Sequence, residues 1–255
     1  MTDYIQATVD GHIGVIQLNR PEVANALNRQ MVDEIVQQLE KFDQDRAIRV
    51  IVIKGNHQAF AAGADIEEMI DDTPFSLEQL NQFAVWDRIR LIKKPLLAAV
   101  NGYALGGGFE LVLHCDLIIA AADAQFGFPE VTLGVMPGAG GTQLLTKMMG
   151  RQKALEWIWL GERMPAEVAY QYGIVNRLVA PELVEEETMR LASQLATRAP
   201  FAMKLIKEAV DAAFDLRQEG MTVERKNFYL AFSSNDQQEG MQAFMEKRPP
   251  SFKGD

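Results

Sequence analysis

The chain has 255 residues, of which 48% are hydrophobic and 24% charged, an ordinary composition for a folded protein with a sizeable core. Its 35 acidic and 25 basic residues leave a net charge of -10, which disfavours nucleic acids and anionic membrane surfaces as non-specific partners. The single Cys115 excludes an intrachain disulfide, and no His or Cys grouping has the spacing of a metal site. Because the N-terminus shows no targeting signal and no run of about 18 apolar residues occurs, we expect a cytoplasmic protein with one large domain.

The first part of the chain predicts alternating strands and helices. Residues 12–18 predict a strand and residues 21–26 a turn. After Asn28, a predicted helix N-cap, apolar residues recur at helical spacing: Met31, Ile35, Leu39 and Phe42. The next predicted elements are a strand at 50–53, a helix at 76–92, a strand at 96–100, a helix at 107–115 and a strand at 117–120. This order predicts an α/β core with crossover connections, in which functional sites lie at strand ends and helix starts.

After about residue 181 the pattern changes to long amphipathic stretches. No strand-like run remains there, which favours a helical tail on the α/β body. The apolar residues that give these stretches their stripes are Leu191, Leu195, Met203, Ile206, Val210, Phe214, Phe228, Phe232, Met241 and Phe244. Such stripes need cover, either from the chain's own core or from another subunit.

Three glycine-containing segments stand out: F-A-A-G-A-D-I-E at 60–67, N-G-Y-A-L-G-G-G-F-E at 101–110, and the segment 126–142. None of them fits the P-loop, the dinucleotide-binding fingerprint or the nucleophile elbow of serine hydrolases. The three histidines are dispersed and accompany no Ser or Cys motif, so we interpret them as structural or solvent-facing. The glycines therefore need another explanation.

The glycines at 106–108 follow a buried strand and open an apolar helix, where glycine lets a ligand approach main-chain N–H groups. Glu110 lies three residues beyond Gly107 and so shares its helix face. A carboxylate beside an amide donor suits a site where an oxyanion forms while a proton moves. The alternative is that the glycines serve tight packing and that Glu110 is a solvated helix residue, and this segment alone leaves both open.

Together the segments resemble the enoyl-CoA hydratase/isomerase family, also called the crotonase superfamily. The resemblance extends along nearly the whole chain. It rests on Q-L-N-R-P at 17–21, N-A-L at 25–27, A-G-A-D-I at 62–66, N-G-Y-A-L-G-G-G at 101–108, P-E-x-x-L-G at 129–134, P-G-A-G-G-T-Q at 137–143 and E-G-M-Q-A-F-M-E-K-R at 239–248. It implies a spiral of strand-strand-helix turns over residues 1–197, with the active site. Residues 198–255 would form a helical region that builds homotrimers, usually paired into homohexamers.

The resemblance also implies the catalytic residues. The main-chain N–H groups of Ala64 and Gly107 would hold the thioester oxygen, where negative charge develops. Glu110 would activate the water that attacks C3, Glu130 would deliver the proton to C2, and the N–H of Gly138 would orient the water. The pairing is physically sensible, because close carboxylates push their pKa values apart and one must be ionised while the other is protonated.

Further contacts with the acyl-CoA substrate follow from the same resemblance. The implied substrate-binding residues besides Gly107 and Gly138 are Ala24, Ala62, Ala64, Asp65, Ile66, Glu67 and Lys247. Asp65 would lie near the pocket floor, although it could instead cap the following helix. Lys247 would reach the CoA phosphates of a neighbouring subunit, or it is simply solvated. Phe109 and Phe128 stand where related hydratases often have smaller or polar residues, and they could narrow the acyl pocket.

The implied activity is that of an enoyl-CoA hydratase, a hydro-lyase that reversibly adds water to a 2-trans-enoyl-CoA. The presence of both carboxylates favours this over enoyl-CoA isomerase, which would be a minor activity. No cofactor is expected, because coenzyme A is part of the substrate. The alternatives are a thioester hydrolase on the same scaffold, or a non-catalytic module that binds acyl-CoA or RNA. The sequence leaves open the acyl chain, the pathway (fatty acid, branched amino acid or phenylacetate degradation) and the choice between trimer and hexamer.

Overall fold

The structure is a computed structural model that describes residues 4–213 and 218–251. Phe214, one of the predicted apolar stripe residues, lies outside the described residues, as do positions 1–3 and 252–255. Among the described residues, no helix has both the length and the apolar character needed to cross a membrane.

Two sheets form the α/β core. The larger sheet has six strands, in the order β1 (Ile5–Asp10), β2 (Ile13–Leu18), β3 (Val50–Lys54), β5 (Leu96–Val100), β7 (Leu117–Ala121) and β10 (Arg177–Val179). The smaller sheet has four, in the order β4 (Ala59–Ala61), β6 (Tyr103–Leu105), β8 (Gln125–Gly127) and β9 (Met164–Pro165). Only the pairs β1–β2 and β8–β9 are antiparallel. The sequence analysis did not predict β1, an edge strand that is almost entirely exposed although Ile5, Ala7 and Val9 alternate with polar residues.

The helices of the described residues are α1 (Arg29–Gln44), α2 (Ile66–Met69), α3 (Pro74–Leu80), α4 (Ala84–Ile89), α5 (Gly107–Leu113), α6 (Gly141–Met149), α7 (Arg151–Leu160), α8 (Ala166–Gln171), α9 (Val184–Ala196), α10 (Pro200–Ala213), α11 (Gln218–Ala231) and α12 (Asn235–Met245). Three short 3-10 helices span Pro21–Val23, Pro129–Leu133 and Pro181–Leu183. Each of three chain segments gives one strand to the large sheet, one to the small sheet and then a helix, which confirms the predicted strand-strand-helix turns.

The first long helix forms as its sequence predicts. The side chain of Asn28 accepts a hydrogen bond from the N–H of Met31 at 2.8 Å and so satisfies one of the free donors at the helix start. Met31, Ile35 and Leu39 then bury one face of α1 in the core. Burial of each such side chain contributes about 1.5–3 kcal/mol of hydrophobic free energy.

The helix predicted over 76–92 is wrong in one respect, because two shorter helices, α3 and α4, replace it. Asn81 ends α3 in the left-handed region, with φ of 44°, and its N–H donates to the carbonyl of Leu77. Asn tolerates this conformation better than most residues, and helical periodicity does not reveal it. The break places Phe83 in the connection between the helices, where it faces the cavity described below.

Close backbone contacts fix the junctions between the small sheet and the helices. A Cβ atom at Gly108 would lie 2.4 Å from the carbonyl oxygen of Ala61, so α5 can approach β4 only with glycine at this position. Similarly, α12 packs on the 3-10 helix Pro129–Leu133, where a Cβ at Gly240 would lie 2.6 Å from the Leu133 carbonyl carbon. Backbone-to-backbone packing of this kind leaves these elements little freedom to move relative to one another.

After residue 181 the described chain is helical, as predicted. Part of the predicted apolar stripes is buried in this chain's own core, including Leu191, Phe228, Phe232 and Met241. Other members are exposed, among them Ile206, Val210 and Phe244. The domain boundary at residue 197 stays a prediction.

Candidate active site

A cavity of about 600 Å³ lies where the small sheet meets the starts of α2 and α5, and α11 and α12 close its far side. Most of the predicted site residues line it: Ala62, Ala64, Asp65, Ile66, Glu67, Gly107, Glu110, Glu130 and Gly138. Ala24 lies outside the lining, and its carbonyl accepts the N–H of Ala62 at 3.0 Å. Lys247 is exposed outside the cavity of its own chain. Their predicted contacts with substrate therefore stay predictions.

Two main-chain N–H groups converge on one wall of the cavity. Ala64 pairs with Leu27 through an isolated bridge whose hydrogen bonds use Gly63 and Asp65, so the N–H of Ala64 stays free. Gly107 opens α5, and a first-turn N–H has no acceptor within the helix. Within the described part of the chain, neither N–H donates to a protein acceptor.

The backbone at Gly107 lies close to that of Ala64, since a Cβ built at Gly107 would lie 3.8 Å from the nitrogen of Ala64. Two unpaired donors on such neighbouring backbone segments can bind a single oxygen atom. This is the arrangement that stabilises an oxyanion.

Glu110 is buried, with only 4% of its surface exposed, so it is not a solvated helix residue. Its Oε1 accepts hydrogen bonds from the N–H groups of Ala139 and Gly141, both at 2.8 Å. One turn later on the same chain, Nε2 of His114 lies 2.9 Å from the carbonyl oxygen of Ala139. His114 is therefore structural, as the sequence analysis predicted.

Glu130 is the second residue of the 3-10 helix Pro129–Leu133 and lines the same cavity as Glu110. Its Oε1 lies 3.0 Å from the position that a Cβ at Gly106 would occupy. Its Oε2 is buried and has no hydrogen-bond partner among the described residues. Burial, with the nearby charge of Glu224 acting in the same direction, raises the pKa of Glu130 to about 8. The carboxyl group is therefore mostly protonated at neutral pH.

Glu224, on α11, is a third buried carboxylate at this site, and the sequence analysis missed it. It accepts hydrogen bonds from the N–H groups of Gly140 at 2.6 Å and Thr142 at 2.8 Å, and from the Thr142 hydroxyl. One signal was available: Glu224 falls at helical spacing between Met221 and Phe228, which are both buried. A charged residue within an apolar helix stripe indicates a buried polar partner.

The three carboxyl groups are electrostatically coupled. Burial raises the pKa of Glu110 well above its usual value, and the charges of Glu224 and Glu130 add to this, while the two N–H donors oppose it. Burial also raises the pKa of Glu224, against the hydrogen bonds from Thr142 and Gly140. Because neighbouring carboxylates in a buried site cannot all ionise, the cluster titrates as a unit and retains protons at neutral pH. It can therefore offer an ionised and a protonated carboxyl group together.

Beyond Gly138, aromatic side chains form an apolar end of the cavity. A Cβ at Gly138 would lie 2.5 Å from Cζ of Phe83 and 2.9 Å from Cδ2 of Phe228. The two rings meet edge to face, with centroids 5.0 Å apart. Phe109 and Phe128 do not line the cavity; they pack against each other behind its wall, with centroids 4.9 Å apart. The sequence-based expectation that these two residues narrow the pocket is therefore wrong.

At the opposite end, Asp65 occupies the N-cap position of α2 but makes no capping hydrogen bond, so the capping alternative is wrong. Its carboxylate instead accepts a hydrogen bond from Nη1 of Arg20 at 2.9 Å. Arg20 also lines the cavity, and the sequence analysis did not single it out as a site residue. This end therefore carries polar and charged groups, in contrast to the aromatic end.

The chain is similar in sequence to known enoyl-CoA hydratases. The family described as enoyl-CoA hydratase/isomerase matches residues 8–255. Among curated proteins, a mitochondrial enoyl-CoA hydratase of Pongo abelii is 44% identical over 242 residues, which is 94% of this chain and 83% of that protein. The 2,3-dehydroadipyl-CoA hydratase of Escherichia coli is 42% identical over 241 residues, 94% of each chain.

Solved structures show the same similarity. A crystal structure of enoyl-CoA hydratase subunit I from Geobacillus kaustophilus is 62% identical, covers 99% of this chain and 98% of that one, and superposes with a TM-score of 0.83. A carnitinyl-CoA hydratase from Mycobacterium avium is 31% identical, covers 100% of both chains and gives a TM-score of 0.89.

Proposed function

The chain belongs to the enoyl-CoA hydratase/isomerase family, and on that premise we propose that it is a hydro-lyase that reversibly adds water to a 2-trans-enoyl-CoA, giving the 3-hydroxyacyl-CoA. The observation that carries the proposal is the meeting of Glu110 and Glu130 in one cavity with the free N–H groups of Ala64 and Gly107. Acid, base and oxyanion donors are what this reaction requires.

In the proposed mechanism, the thioester oxygen binds between the N–H groups of Ala64 and Gly107, which form the oxyanion hole. As water adds to C3, electrons move through the double bond onto this oxygen and form an enolate. Hydrogen bonds that strengthen as the charge develops lower the barrier, and loss of one such donor typically costs about 2.7–4 kcal/mol. Both donors are main-chain groups at packed junctions, so they need no rearrangement during the reaction.

Glu110 acts as the base. Its two hydrogen bonds from Ala139 and Gly141 favour the ionised carboxylate, which takes a proton from the attacking water. Glu130 acts as the acid and delivers its proton to C2 as the enolate collapses, consistent with a pKa of about 8. Gly138, which lines the cavity beside the pair, would orient the water by its N–H.

Two other reactions are possible on the same scaffold: double-bond isomerisation, which we expect as a minor activity, and thioester hydrolysis. The presence of both carboxyl groups in the cavity favours hydration over either. The test compares three assays of the purified protein: hydration of crotonyl-CoA, isomerisation of a 3-enoyl-CoA and release of free CoA. Hydration should exceed the other two rates, and a faster isomerisation or CoA release would overturn the proposal.

The acyl group would occupy the aromatic end of the cavity. Phe83, Trp86 and Phe228 line this end, and the basic residues of the described lining, Arg20 and Arg29, are each paired with an aspartate, Asp65 and Asp72. We therefore favour an uncharged acyl chain over a dicarboxylate of the kind that the Escherichia coli relative is named for. Because one methylene changes binding by only about 1–3 kcal/mol, a kcat/KM series over acyl-CoA lengths is needed to assign chain length and a place in β-oxidation or a related pathway.

We also propose that the protein assembles as a homotrimer or a homohexamer. In support, α10 exposes four large apolar side chains: Phe201, Leu205, Ile206 and Val210. A continuous apolar face of this kind on a helix marks an interaction site. Lys247 would then reach the CoA phosphates in a neighbouring subunit. A cytoplasmic location, the absence of a cofactor and the absence of nucleic-acid partners also stay predictions.

A further inference from the structure

One short segment, Ala139–Thr142, holds two carboxylates by alternate N–H groups. The N–H groups of Ala139 and Gly141 donate to Glu110, while those of Gly140 and Thr142 donate to Glu224. The segment forms the start of α6, where N–H groups have no acceptor within the helix and the helix dipole favours negative charge. The backbone of this segment therefore lies between two buried acids from α5 and α11.

We propose that Glu224 is a positioning residue for hydration: by fixing the N–H groups of Gly140 and Thr142, it aims the N–H groups of Ala139 and Gly141 at Glu110. Glu224 does not line the cavity, so it touches neither substrate nor water directly. The inference rests on the hydratase function proposed above. It assigns the third carboxylate of the cluster a role distinct from acid or base.

The geometry makes the segment dependent on Glu224. Gly140 has φ of +110°, a conformation that leaves its N–H pointing away from those of its neighbours, toward α11. In Glu224→Gln only one side-chain oxygen remains to accept, so one of the two buried N–H groups loses its acceptor and meets the amide NH2 instead. The segment would shift to satisfy this N–H group and would carry the donors of Glu110 with it. A displacement of about 1 Å at a catalytic group can lower the rate on the order of 100-fold.

The charge of Glu224 provides a second readout, the pH profile of hydration. Among the described residues, the charged groups that act on Glu224 include Glu110 on α5, Glu130 on the 3-10 helix and Arg225 on its own helix, and Asp87 on α4 pairs with Arg225. His114, which lies near Gly140, has a pKa lowered to about 4 by burial and is neutral over the working range. The charge of Glu224 raises the pKa of both Glu110 and Glu130. Its removal should therefore shift the pH profile of kcat/KM to lower pH.

The test is Glu224→Gln, assayed by crotonyl-CoA hydration. We expect kcat to fall about 10- to 100-fold, KM to change by less than about threefold, and the alkaline limb of the kcat/KM profile to move to lower pH. Thr188→Val is the stability control: Thr188 is buried on α9, remote from the cavity, and its hydroxyl donates to the carbonyl of Val184 at 2.7 Å. Unchanged kcat, or a lowered kcat with an unshifted profile, overturns the proposal.

If Glu224→Gln does not fold, Thr142→Val carries the test, since it removes one donor to Glu224 but keeps the main-chain N–H. It should lower kcat beyond any effect of Thr188→Val, and Thr142→Ser should restore it. Equal kcat values in Thr142→Val and Thr188→Val overturn the proposal. Wild-type protein that fails to hydrate crotonyl-CoA overturns the hydratase function and this inference together. If the wild type hydrates crotonyl-CoA and the Glu224 and Thr142 variants match it in kcat, only the role of Glu224 is excluded.

Discussion

Hydration by the wild-type protein should fall steeply above pH 8, because Glu130 must carry a proton to deliver it to C2. Burial raises the pKa of this carboxyl group to about 8, so the protonated form is the active one below that value. The protonated fraction is roughly 91% at pH 7 and roughly 9% at pH 9, so kcat/KM should fall about tenfold between these two pH values. Initial rates at crotonyl-CoA concentrations well below KM, followed by loss of the enoyl thioester absorbance, measure this directly.

Glu130→Gln provides the matching variant. Glutamine keeps the size of the side chain but cannot deliver the proton, so kcat should fall roughly 10²-fold or more and the limb near pH 8 should disappear. Glu156→Gln on the surface of α7 is the control, and it should behave as the wild type. A wild-type profile that is flat from pH 7 to pH 10 in folded protein would refute the reasoning. So would a Glu130→Gln protein with wild-type kcat.

Glu110→Gln should also lower kcat by roughly 10² or more, and the double variant with Glu130→Gln should lose much less than the product of the two single losses, since the pair acts as a unit; full activity in the single variant excludes its role. Ala64→Ser should be mild, whereas Ala64→Pro removes the N–H donor and should abolish most hydration; a folded, fully active Ala64→Pro protein would contradict the oxyanion hole. Deletion of residues 198–255 should give small or aggregated species in light scattering, and a soluble, active monomer would exclude the assembly. Lys247→Ala should raise KM for CoA substrates with little change in kcat, and an unchanged KM removes Lys247 from the site.

The sequence predicted those parts of the site that depend on local backbone chemistry. Gly107 and Glu110 share a helix start, so their relative placement follows from helical geometry alone. The roles of Ala64 and Glu130 came from a resemblance of whole segments, since nothing local relates them to Glu110. The structure shows that all four meet in one cavity.

Other features could not be predicted because they depend on contacts between distant parts of the chain. Glu224 finds its donors more than 80 residues earlier, at Gly140 and Thr142, and the helix pattern shows only that it faces inward. The break at Asn81 depends on a single left-handed residue inside an otherwise helical pattern. Phe109 and Phe128 were assigned to the pocket by position, but their rings turn into the core.

The close approach of α5 to β4 at Gly108 means that the two ends of the site can change to different extents during evolution. The backbone that carries the oxyanion donors depends on glycine at position 108, because any side chain there would collide with Ala61. This part of the site therefore tolerates few substitutions. The acyl end is built from side chains of the α3–α4 connection and α11, such as the packed pair Phe83 and Phe228, which can change size together without altering the backbone donors. A descendant of this chain could therefore acquire a new acyl preference through these helices while its catalytic donors stay unchanged.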